Sequence, residues 1–199
     1  MGGVMKPLFV ATSAAVFLVL FLCVPAEAAQ ESWYVYLGLG GSYSSYPAEV
    51  ENTLDLVDDG GSGDVQLSLD MFGFYWPVPE RPRSLVGFVV NGASDSREND
   101  GKSAHVYSYL MGFSSMHFFG PEAGAGFFIR ADFGFAWYTV DSSEVASYES
   151  DKGYGGLVGG GYGIRVGEGA RILLNVNYAL RHASGDNLST VGMSVGCLF

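Results

Sequence analysis

The heptapeptide RHASGDN, residues 181–187, sets His182 and Ser184 two positions apart, with Asp186 two further on. In an extended segment residues two apart share a face. An imidazole there could act as general base for a hydroxyl attacking an ester. Such a base needs an acidic partner to orient it, and Asp186 is the sole acidic residue after Ser184. A second group with chemical potential is DDGGSGD, where Asp58, Asp59 and Asp64 are spaced by glycines that would let carboxylates converge on Ca²⁺. The twelfth-position Glu of an EF-hand loop is missing, and a solvated acidic loop explains the same residues. The glycine run at 153–163 has only the composition of a phosphate-binding loop, since no Lys-Ser/Thr follows it. His105, His117 and His182 fall on separate segments with no convergent spacing. The expectation is therefore no catalytic site (the alternative being His182 with Ser184), no metal beyond the three weak aspartate candidates, and no cofactor.

The segments that carry these groups alternate in polarity. GFFIRADFGFAWYTV (126–140) buries two charges in an aromatic run, yet read at every second residue it separates. Phe127, Ile129, Ala131, Phe133, Phe135 and Trp137 take one side; Phe128, Arg130, Asp132, Gly134, Ala136 and Tyr138 take the other. Period two is a β-strand with unlike faces. The same rhythm recurs at 32–43, 66–76, 84–94, 105–119, 153–167, 171–182 and 189–199, giving eight candidate strands near the length that crosses a bilayer at a tilt. Only 84–94 is too uniformly apolar for its facing to be assigned. The connections after strands two, four and six are compact and rich in Pro or Gly. Those after strands one, three, five and seven are polar and mostly longer; the first, PAEVENTLDLVDDGGSGDV, holds six acidic residues and no basic one.

Composition narrows the setting. Lys6, an apolar run to Pro25 and small residues at Ala26 and Ala28 describe a secretory signal peptide over residues 1–28, an uncleaved anchor being the alternative. A lipoprotein signal is excluded by Leu22 before Cys23. Cleavage would leave residues 29–199 as one domain whose sole cysteine is Cys197, so no intramolecular disulfide is expected there. No later run is long enough for a transmembrane helix. Ten Lys and Arg against 21 Asp and Glu argue against nucleic acid as a partner.

An apolar, glycine-rich, exported chain of alternating strands is accommodated if the apolar faces meet lipid and the polar faces line a closed interior, because only a closed barrel pairs every backbone group in hydrocarbon. The expectation is all-β: an eight-stranded antiparallel up-and-down transmembrane barrel. Eight strands leave an interior filled by side chains rather than a pore. Asp70, Arg130, Asp132, Arg165, Asn175, Asn177 and Arg181 are expected to form its polar network, since an unpaired buried charge costs several kcal/mol. Trp33, Trp76, Phe118, Phe119, Trp137 and Tyr138 are expected as interfacial girdles. A soluble ligand-binding barrel is the alternative; small residues on the polar face and large ones on the apolar face speak against it.

Terminal Phe199, preceded at every second position by Cys197, Val195, Met193 and Val191, resembles the end of small Gram-negative outer-membrane barrels, the OmpX-like and OmpA-transmembrane-domain class. That resemblance implies an outer-membrane location, recognition of these five residues by the assembly machinery, and lipid and lipopolysaccharide as surroundings of a monomer. It also implies a structural or surface-interaction role through the acidic outer loops. His182 and Ser184 look like the His-x-Ser element of lipid A deacylase barrels, which implies an esterase as the alternative function. The family's Asn after the serine is Gly185 here, and no Glu follows.

Overall fold

A computed structural model describes residues 32–57, 65–167 and 169–199. The signal-peptide segment and the Asp58, Asp59 and Asp64 cluster lie outside those residues. Nine strands and one helix follow in order: β1 (Tyr34–Ser45), α1 (Ala48–Asp55), β2 (Val65–Val78), β3 (Arg81–Asn99), β4 (Lys102–Phe118), β5 (Gly126–Ser142), the two-residue β6 (Tyr148–Glu149), β7 (Gly153–Val166), β8 (Ala170–Ala183) and β9 (Asp186–Leu198). Each long strand pairs antiparallel with its chain neighbours, and β9 pairs with β1 to close the sheet. Beyond β9, Phe199 and Val35 exchange both backbone hydrogen bonds, at 2.7 and 3.0 Å. The result is a closed eight-stranded up-and-down barrel with no free edge, β6 lying outside the closed ring.

Alternation decides the faces. Phe113, Phe127, Phe133, Phe135, Val158, Val176 and Met193 point out and are 51–70% exposed, whereas Arg130 and Asp132 point in and are 2% and 5% exposed. This inverts the pattern of a water-soluble barrel. From Phe127 to Trp137 the strand climbs ~25 Å at ~3.3 Å per residue and a tilt of ~40°, the height of a hydrocarbon band. The segment 84–94 resolves with Leu85, Val89, Asn91 and Ala93 inward. In β2 the register to β3 shifts between Asp70 and Phe72. This bulge leaves Met71 and Phe72 both exposed and turns Tyr75 inward.

Three expectations are corrected. Phe118 and Tyr138 are buried at 0% and 6% and are not girdle residues; both share the inward phase of their strands. Trp33, Phe74, Trp76, Phe88 and Phe113 instead form a chain of ring contacts, at 4.6–6.2 Å, on the outer face of β1–β4. The connections after the third and seventh barrel strands are two-residue turns, Asp100–Gly101 and Ser184–Gly185, with φ of 47° and 85°, and 53° and 87°. Positive φ at both central positions is the hairpin turn that matches strand twist. β3 and β4 consequently run past the apolar band as a paired hairpin. Cys197 is buried, although it shares the outward phase of Val191, Met193 and Val195.

The interior is stacked in layers. Tyr34, Tyr36, Tyr75, Leu85, Met116, Phe118, Phe128, Leu173 and Leu198 pack at the end with the short β2–β3, β4–β5 and β7–β8 connections. Leu110, Ala136, Leu157 and Ala179 pack in the middle. At the opposite end Ala104, Val106, Tyr138, Val140 and Ala183 pack against Val50, Leu54 and Val57, all three from α1 and the residues just after it. The acidic first loop is thus partly a helix, with apolar residues at i, i+4 and i+7 facing the barrel.

Candidate functional site: the barrel interior and its outer mouth

The buried charges that alternation sends inward are met by partners from other strands. Arg130 on β5 donates through Nη2 to Asp70 on β2, across the interior, at 2.8 Å. It also forks onto Asp132, two residues along its own strand, with Nη2 at 2.7 Å and Nε at 3.0 Å. The triad therefore uses both a same-strand diagonal and a trans-barrel contact. Asp70 further accepts from the Tyr36 hydroxyl at 3.2 Å, and the Arg130 guanidinium lies 5.4 Å from the Tyr36 ring centre. The space for that ring comes from β9: a methyl at Gly196 would sit 2.3 Å from Tyr36 Cε2. Asp132 also accepts from Ser114 Oγ at 2.5 Å and Asn91 Nδ2 at 3.0 Å.

Asn91 extends the network. Its Oδ1 accepts from Arg181 Nη2 at 3.4 Å, while Arg181 Nη1 donates to Thr190 at 3.2 Å. Two aspartates and two arginines thereby form a formally neutral group, each residue at most 5% exposed. This satisfies the requirement that a buried charge be compensated. Towards the mouth, Thr190 Oγ1 meets Ser44 Oγ at 3.1 Å, the Ser44 amide donates to Gln66 Oε1 at 3.0 Å, and Gln66 Nε2 donates to Asp95 at 3.0 Å. Asp95 faces Arg97 at 3.9 Å, and Arg97 reaches Asp55 of α1 at 3.4 Å.

Of the interior residues expected from sequence, Asp70, Arg130, Asp132 and Arg181 come together. Asn175 and Asn177 are buried on the inner face of β8; neither amide atom of Asn175 finds a partner among the described residues. Arg165 does not join them. It lies one residue before the end of β7, half exposed, and pairs with Glu122 at 3.1 Å at the short-turn rim. Strand phase marks it as inward, but the barrel wall ends there. Tyr36, Tyr75, Asn91, Ser114, Gln66 and Asp95 were not anticipated as members; Asn91 and Asp95 would be legible once β3 is phased, and Gln66 and Ser114 lie on polar strand faces that alternation already marks.

The hydrolytic alternative is not assembled. His182 Nδ1 lies 3.0 Å from Asn187 Oδ1, and its ring packs on Tyr154 at 5.1 Å. Ser184 occupies the left-handed first position of the β8–β9 turn, and its Oγ accepts from the Asp151 amide at 2.8 Å. Each side chain is engaged with a different neighbour.

Outside the barrel wall, the mouth is acidic. Glu49, Asp55, Glu98, Asp100, Asp141, Glu144, Glu149, Asp151 and Asp186 are exposed there, with Lys102 and Lys152 as the exposed bases. Two tyrosines packed beneath α1 are held neutral: burial pushes the Tyr148 phenol up to about 12 and raises Tyr46 further.

Neither a protein-family model nor a curated protein sequence matches the chain. Solved structures do. Neisserial surface protein A superposes with a TM-score of 0.53 at 11% identity, over 86% of this chain and 98% of that one. Ail, the attachment invasion locus protein of Yersinia pestis, gives 0.48 at 10% identity over 85% and 100%. The N-terminal β-barrel domain of Pseudomonas aeruginosa OprF gives 0.41 at 12% identity over 83% and 97%. At such identities the likeness is one of fold, and the chain has the closed, eight-stranded antiparallel fold of the small outer-membrane β-barrels.

Proposed function

We propose that the chain is a non-enzymatic outer-membrane protein of a Gram-negative bacterium, exported by its N-terminal signal peptide, with a sealed interior and an acidic surface presented outside. The observation that carries this reading is the inverted barrel: a belt of large apolar side chains outside and a neutral Asp–Arg network within. Such a belt is stable against lipid and costly against water. The layers of side chains along the interior support a structural role rather than conduction. Val191, Met193, Val195, Cys197 and Phe199 would serve as the assembly signal. Lipid and lipopolysaccharide would surround a monomer, and the acidic rim would meet the protein's surface partners.

Cell fractionation tests this. The processed protein should pellet with outer membranes, need detergent for extraction, and migrate differently before and after boiling, as closed barrels do. Recovery as a soluble monomer without detergent would contradict it.

A further inference from the structure

We infer that α1 is a two-position lid over the barrel mouth whose closed position is coupled to the interior charge network. Three observations mark α1 as separable from the barrel. It has eight residues, short of the ~12–15 that sustain an isolated helix in water. It begins at Pro47 without a side-chain cap and has no basic residue in its last turn. Among the described residues it is held by the docking of Val50, Leu54 and Val57 and by the Asp55–Arg97 pair, whose carboxylate is 62% exposed. An element with so few buried contacts belongs to the low-stability end of a fold, beside a wall of strands that is fully paired. Its release would uncover an apolar vestibule of Ala104, Val106, Tyr138, Val140 and Ala183.

The coupling follows from a series of polar contacts. It runs from Asp55 on the lid through Arg97, by an ion pair of 3.9 Å to Asp95, and then by hydrogen bonds through Gln66, Ser44, Thr190, Arg181 and Asn91 to Asp132. Thr190 is the junction: its one hydroxyl touches both Ser44 on the lid side and Arg181 on the network side. Asp95, which faces Arg97, accepts from Gln66, and Gln66 in turn accepts from the Ser44 amide. Cutting the series at Thr190 should therefore loosen a helix that Thr190 does not touch. Coupling of this kind is a free energy between two sites and is measurable as one.

The test is amide hydrogen exchange on the full processed chain in lipid bilayers, comparing wild type with Thr190→Val, which keeps shape and removes the hydroxyl. The α1 amides of Leu54 and Leu56 should exchange about tenfold faster, the size expected from loss of one buried hydrogen bond, while the Arg130–Asp132 amides stay protected. A second variant, Ser44→Ala, should give the same α1 response. Unchanged α1 exchange in both variants would overturn the coupling. A uniform rise across α1 and the strands would overturn it too, since Thr190 would then act on the barrel as a whole.

Discussion

Arg130 and Arg165 occupy inward phases on neighbouring strands, yet only one is buried. Arg130 is enclosed by two aspartates, whereas Arg165 and its partner Glu122 are 49% and 37% exposed. Removing one member of a buried pair leaves an uncompensated charge, so Asp132→Ala should cost about 3–5 kcal/mol. Arg165→Ala should cost less than about 1 kcal/mol, as exposed pairs do. Urea unfolding in lipid vesicles, followed by tryptophan fluorescence, measures both. The contrast also shows what a sequence can tell. Period-two phase separates lipid-facing from interior side chains, but the point where the wall ends depends on the turn, which the phase of Arg165 does not reveal. His182 and Ser184 illustrate a second gap. Two residues on one face fit a nucleophile and its base until Ser184 enters a left-handed turn. Expression of the protein should leave the lipid A mass spectrum unchanged, and Ser184→Ala should make no difference to it.

The elements divide by how much local signal they carry. Eight strands are evident from alternation, whereas the two-residue turns Asp100–Gly101 and Ser184–Gly185 that reverse β3 and β8 were hidden in polar stretches that read as longer loops. Gly185 has φ of 87° with nothing within 4 Å of an added methyl. Gly185→Ala should therefore cost about 1 kcal/mol from backbone strain alone. Helix α1 was hidden because its acidic residues dominate the composition of the loop, although Val50, Leu54 and Val57 recur at helical spacing. The cap it makes also sets a pH limit. Tyrosines ionise near 10 in an unfolded chain, but Tyr46 and Tyr148 are held neutral above that by burial. A folded-state pKa raised in this way contributes stability fully below pH 10 and loses it as pH rises. Resistance to urea should be flat up to about pH 10 and fall between about 10 and 12.

At the scale of the molecule, three choices agree: apolar outside, neutral charge network inside, and an acidic mouth. The short-turn rim is mixed, with Arg81, Arg83 and Arg165 exposed beside Glu80 and Glu122. The fold and its lipid-facing belt could be read from alternation and the terminal apolar pattern. The partners inside could not, because contacts such as Arg130 to Asp70 depend on how strands separated by 60 residues come to face one another. The methionines test the central claim most directly, since Met71, Met111 and Met193 are 40–67% exposed on the outer wall and Met116 is 1% exposed inside. With ¹³C-methyl methionine in bilayers containing lipids spin-labelled on the acyl chain, the signals of Met111 and Met193 should be strongly broadened and that of Met116 should remain sharp. Broadening of Met111 and Met193 by a water-soluble paramagnetic agent instead, with the lipid label without effect, would contradict a barrel whose apolar face meets lipid.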